Sequence, residues 1–161
     1  MTSASFTSKR LTRTYRQTIS AAPETVFPLL CPVREAEWLD GWNYTMLWSQ
    51  SGLVEEGAVF STRGENEADT VWIVTRHDRA TLALEFTRFT PASRVCVLRI
   101  AVEPHADGRS LVDIAYTYTG ITAAGNGFLD GMTDASFLDA MTFWQRSMNH
   151  WLATGETLRR P

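Results

Sequence analysis

Few residues in this chain are equipped for chemistry, and strand parity governs what each of them can do. Arg88 and Arg99 lie inside the apolar runs "LALEFTRF" and "VCVLRIAV". An arginine in such a run either points to a solvated face or reaches inward to anchor an anionic or carbonyl-bearing ligand. Arg88 shares parity with Leu82, Leu84 and Phe86, the inward set, and is the anchor candidate. Arg99 falls with Val95 and Val97, opposite the more apolar set Cys96, Leu98, Ile100 and Val102. In "LVDIAYTYT" the inward set is Val112, Ile114, Tyr116 and Tyr118, with Asp113 outward, so two phenol hydroxyls are the polar groups expected inside. Glu35, Glu37 and Asp40 cluster beside Trp38 and read as a solvated face; alternatively Glu35 pairs with Arg34 or with a strand arginine at a cavity mouth.

The remaining candidates are weaker. His77 and His105 fall in the reversals "RHDRAT" and "EPHADG" and read as surface groups, while His150 sits in the last turns of a helix, where a charged imidazole gains from the dipole. The sequence holds no Ser/His/Asp set, G-x-S-x-G elbow, P-loop or G-x-G-x-x-G. Cys31 and Cys96 are in no C-x-x-C or Cys/His cluster; they are expected as reduced, partly buried thiols. No catalytic residue, metal site or cofactor is therefore assigned.

Composition narrows the partner. A net charge of −3, with 15 Lys and Arg scattered among 18 Asp and Glu, provides no basic face for phosphates, so nucleic acid is not the expected ligand. No apolar run is long enough to span a membrane, and the first residues lack the apolar centre of a secretory signal, which predicts a cytoplasmic protein. At 161 residues the chain suits one domain with its own core.

The elements that must position these residues follow from periodicity. Residues 1–10 read as a flexible arm. A strand over Leu11–Ile19 precedes "SAAPETVFPLL", whose Ala-Pro start and prolines at 28 and 32 allow two short helices, about 23–30 and 32–38, broken by Gly41. Strands at 44–49, 58–62, 70–76, 82–89, 95–102 and 111–119 follow at hairpin spacing, which makes the sheet antiparallel. "TAAGNGFLDG" reads as a loop with at most a turn of helix. Thr133 caps a long helix whose apolar positions Phe137, Met141, Trp144, Met148 and Trp151 step by four and three, and Gly155 ends it. Residues 156–161 form a tail to a single domain over 11–155.

An aromatic and methionine stripe laid on a curled sheet fills space irregularly, and an internal pocket results. Trp38 and Trp42 bracket the junction between the second short helix and the next strand and read as packing, and Tyr44, Met46 and Trp48, sharing one face of that strand, as pocket wall.

The segment "TISAAPETVFPLLCPVREAEWLDGW" and the ending "LVDIAYTYTG…FWQRSMNHWLATGE" resemble the SRPBCC superfamily, the START and Bet v 1-like helix-grip domains, over about residues 11–155. The resemblance is to its small bacterial polyketide cyclase/dehydrase-like members. It implies an α+β helix-grip fold: a curved seven-stranded antiparallel sheet around a long C-terminal helix, two short helices after strand 1, and a hydrophobic cavity between sheet and helix. The expected ligand contacts are Trp38, Trp42, Tyr44, Met46, Trp48, Trp72, Phe86, Arg88, Leu98, Tyr116, Tyr118, Phe137, Met141, Trp144 and Met148. Three functions fit. The first is binding of a small hydrophobic molecule, aromatic, polyketide-like or lipid-like. The second is a cofactor-free cyclase or dehydratase using Tyr116, Tyr118, Arg88 or Glu35. The third is a stress or co-chaperone-like interaction domain, which needs an exposed apolar patch. Binding is preferred because no residue pair has catalytic spacing; a homodimer is left open.

Overall fold

The computed structural model describes residues 5–161. Strand β1 (Arg10–Ile19) leads into α1 (Pro23–Val26), which tightens into a 3₁₀ turn at Phe27–Leu29, and then α2 (Pro32–Trp38). Both short helices begin on a proline, whose missing N–H costs nothing in a first turn. Strands β2 (Thr45–Trp48), β3 (Val59–Thr62), β4 (Thr70–Asp78), β5 (Ala83–Thr90), β6 (Arg94–His105) and β7 (Arg109–Gly120) follow. All pairings are antiparallel, in the order β1-β7-β6-β5-β4-β3-β2. The sheet grips the 21-residue helix α4 (Asp134–Thr154), capped by Thr133 Oγ1, which accepts from Ser136 N, and ended by Gly155 at φ 73°.

The core lies between the inner sheet face and the helices. Leu84, Phe86, Leu98, Ile100, Val102, Val112 and Ile114 point inward as alternation predicts, against Met141, Met148 and the fully buried Trp38. Two polar residues of the interface tie α4 to β1. Buried Gln17 donates to Met141 O, and Asn149 both accepts from Ser20 N and donates to Thr18 O. Val97, Arg99 and Asp113 lie outward, the last two in ion pairs with Glu85 and Arg16.

One expectation changes. "TAAGNGFLDG" is a nine-residue helix, α3 (Ala123–Gly131), capped by Thr122. Its glycines argued against a helix, but Gly125 is there for contact: a Cβ would stand 1.8 Å from Ser93 O. The arm is tied down at its inner end, where Asn126 of α3 bonds Lys9 N and Thr7 O and Asp130 pairs with Lys9; residues 1–4 lie outside the described residues. The tail is docked as well: Leu158 bridges Leu39, and Asp40 holds Arg159 and Arg160 N. Among the described residues no helix is long and apolar enough to cross a membrane.

Candidate functional site

Between the inner sheet face, α2 and α4 lies a chamber of about 140 Å³. Its apolar wall comes from Leu30, Leu39, Trp42, Phe60, Trp72, Phe86, Leu98, Ile100, Ile114, Met141 and Trp144. Four groups bring polar atoms or charge to this wall: Glu35, Arg88, Tyr116 and the indole N–H of Trp144. A second space of about 550 Å³ opens outward under α3 and the first turns of α4, lined by Tyr118, Gly127, Phe128, Gly131, Met132, Ser136, Phe137 and Ala140. Arg88, Tyr116 and Met141 line both spaces and stand where chamber and mouth meet.

Arg88 reaches inward because it shares the parity of Leu84 and Phe86 on β5 and pairs across the sheet with Trp72 and Cys96. Its Nη2 donates to Tyr118 Oη at 2.8 Å. Its guanidinium lies over the rings of Trp72, Tyr116 and Tyr118, 4.8, 5.3 and 5.4 Å from their centroids. Among the described residues it makes no ion pair with a carboxylate. Burial pulls its pKa down, but the combined influence of Tyr118, Cys96 and Tyr116 prevails and leaves it raised. Tyr116 and Tyr118 stack at 5.8 Å, and burial pushes both phenols above their ordinary pKa.

Glu35 is on the inner face of α2. Residues three apart share a helix face, and Glu35 and Trp38 are such a pair, whereas Arg34 and Glu37 pair with each other on the outside at 2.8 Å. The Trp144 indole donates to Glu35 Oε1 at 3.3 Å. Burial raises this carboxyl to about pH 8, opposed by that one hydrogen bond, so it is mostly protonated at neutral pH. Glu35, Arg88 and Tyr116 are half-buried, and each lines the chamber.

Neighbouring contacts hold the mouth in place. Thr122 Oγ1 donates to Ala92 O and accepts from Gly125 N, which seats α3 on the β5–β6 turn. Arg94 grips Glu67 with two hydrogen bonds and stacks on the Phe128 ring, 3.4 Å from its centroid. Arg13 bonds Met132 O and pairs with Asp134, fixing the α3–α4 junction. A wider depression of about 620 Å³ lies on the other face of the sheet, but its charges are already matched as Arg16–Asp113, Arg99–Glu85 and Arg76–Asp78. Among the described residues no group of three or more His, Cys, Asp or Glu could hold a metal ion.

No family model and no curated protein matches this chain. Solved structures do. Norcoclaurine synthase from Thalictrum flavum superposes with a TM-score of 0.67 at 9% identity, over 91% of this chain and 88% of that one. That enzyme has also been solved in complex with dopamine and hydroxybenzaldehyde. Ara h 8.0201 gives 0.59 at 14% identity, over 91% and 99%. DynU16, from the dynemicin biosynthetic locus, gives 0.60 at 15% identity over 90% of this chain; this chain spans about half of DynU16. With the sheet order and the gripped helix, these superpositions decide the fold. It is the Bet v 1-like helix-grip fold.

The helix-grip cavity gathers part of the expected contact set. Trp42, Trp72, Phe86, Arg88, Leu98, Tyr116, Met141 and Trp144 line the chamber, and Tyr118 and Phe137 line the mouth. Five residues stand elsewhere. Trp38 and Met148 are fully buried core, the former donating to Leu29 O and meeting Trp144 edge-on. Tyr44 and Met46 pack on the margin of the core without reaching the cavity. Trp48 is 55% exposed because β2 carries a bulge: Met46 pairs with Phe60, but Trp48 pairs with Val59, so parity slips and the indole turns to the outer face with Val59. A similar slip in β4 between Val74 and Arg76 turns His77 inward, stacked on Phe27 at 5.3 Å, where a surface group was expected. Burial lowers its pKa.

Sequence reasoning prefers a solvated Glu35 and holds its place at a cavity mouth as the alternative; it misses the mouth residues of α3. The spacing to Trp38 could have placed Glu35. Nothing in a segment with glycines at 125, 127 and 131 announced that Phe128 would stand over a cavity.

Proposed function

We propose that the protein binds a small, largely apolar molecule with an aromatic ring in the space between sheet and α4. One observation carries this reading: a chamber of about 140 Å³ with aromatic and aliphatic walls, into which a few polar groups converge. A protein cavity of about 150 Å³ with apolar walls is known to accept benzene, so the chamber has the scale of a single ring. The mouth gives room for a substituent or chain, and its Met132, Met141, Phe128 and Phe137 are side chains that adapt to an apolar body. The single-ring aromatics found in a structural neighbour support the same scale. The test is native mass spectrometry of protein taken directly from expressing cells, followed by uptake of single-ring compounds. A bound aromatic species, or uptake at one equivalent, is expected. Protein that arrives empty and takes up no such compound contradicts the reading.

A second reading, proton transfer of the cyclase or dehydratase type, is favoured by Glu35. A carboxyl held near pH 8 in the same chamber as Tyr116 can donate or accept a proton at neutral pH. On this reading Glu35→Gln retains binding and loses turnover.

A further inference from the structure

The geometry points to an anionic ligand: we infer that the cavity recognises an aromatic carboxylate, with the ring in the chamber and the carboxylate on Arg88. The inference rests on the binding reading above and adds the charge and class of the ligand.

Arg88 carries the argument. An arginine stays charged throughout the working pH range, and a charge removed from water is costly unless it is paired. Here the guanidinium is part-buried where chamber and mouth meet, and the nearby acids Glu67 and Glu85 are committed elsewhere. Glu67, close enough for Arg88 to lower its pKa, is held by both Arg94 nitrogens. Glu85, on the same strand, faces outward to Arg99. The faces of Trp72, Tyr116 and Tyr118 offset part of the cost, as ring quadrupoles do for a desolvated cation. They supply no acceptor of full charge. Among the described residues Tyr118 Oη accepts a hydrogen bond from the guanidinium, the Cys96 thiol lies close to it, and Arg88 lines both chamber and mouth. A planar fork of donors, caged by rings and lacking a carboxylate, is complementary to a planar carboxylate attached to a ring.

The other titratable groups facing this position are Glu35 from α2, Cys96 from β6, and Tyr116 and Tyr118 from β7; α4 contributes the Trp144 N–H and no charge. Cys96, Tyr116 and Tyr118 are all held neutral, with raised pKa values. Glu35 is mostly protonated at pH 7, so the cavity then carries one net positive charge. As pH rises past about 8 Glu35 ionises and the cavity becomes neutral overall. Affinity for an anion therefore falls across that range, and affinity for a neutral isostere does not.

The experiment compares benzoate with benzamide, equal in shape and different in charge, by calorimetric titration at pH 7 and pH 9. Benzoate is expected to bind wild type at least tenfold more tightly than benzamide at pH 7, and to lose most of that advantage at pH 9. Arg88→Met should bring benzoate down to benzamide while benzamide binding persists, which also reports that the variant is folded; Arg88→Lys should recover part of the preference. Glu35→Gln should remove the loss at pH 9. Equal binding of the two probes to wild type, or an unchanged preference in Arg88→Met, overturns the inference and leaves the binding reading in place. Failure of both probes to bind wild type overturns both.

Discussion

Glu35 shows how little separates a surface acid from a cavity acid. One helical step outward, Glu37 pairs with Arg34 in solvent; Glu35 shares the face of Trp38 and meets only the Trp144 indole. A carboxyl whose folded pKa is about 8 and whose unfolded value is near 4.5 binds its proton more tightly in the folded state. Stability is therefore full below about pH 4.5 as far as this group is concerned, falls as pH rises toward 8, and levels above it. The loss is at most about 5 kcal/mol, and less to the extent that water reaches the carboxyl. Denaturant unfolding at pH 5, 7 and 9 should show that decline in wild type and a flatter profile in Glu35→Gln; parallel profiles would mean that Glu35 is solvated.

At the scale of elements, the glycines of α3 test why a helix forms where glycine count argues against one. Gly125→Ala would force a Cβ to 1.8 Å from Ser93 O, a backbone atom that cannot swing away, and should cost about 2–3 kcal/mol. Gly127→Ala meets nothing within 4 Å and should stabilise by about 0.5–1 kcal/mol through the lost freedom of the unfolded chain. Thermal unfolding of the two variants should move in opposite directions; a shared direction would mean that α3 is not packed at Gly125.

The same scale shows what was legible. Alternation over 82–89, 95–102 and 111–119 placed Arg88, Leu98, Tyr116 and Tyr118 on the inner face, because those strands run without bulges and one face is apolar. The long helix was legible from its stripe and its cap. Parity failed in β2, where one extra residue flips every side chain beyond it and turns Trp48 outward; the sequence reading sets His77 in a reversal, but β4 runs on to Asp78 and its bulge turns the imidazole inward. A bulge has no local sequence signature in "TMLWS" or "IVTRH", and it is set by pairing with strands far along the chain.

For the molecule as a whole, the fold follows from a sheet curved around one helix, and the space between them is shaped by side chains that do not interlock: Phe137, Met141 and Trp144 on the helix against Phe86, Leu98 and Tyr116 on the sheet. A ligand that enters this space binds the folded state alone and raises its stability by mass action. The most direct test is a methionine-methyl NMR titration with benzoate. Met132 and Met141 line the mouth and chamber, and Met46 sits on the core margin away from both. Large shifts confined to Met132 and Met141, saturating at one equivalent, are the predicted result. Shifts centred on Met46, or no saturable shifts at any methyl, would contradict a ligand site between the sheet and α4.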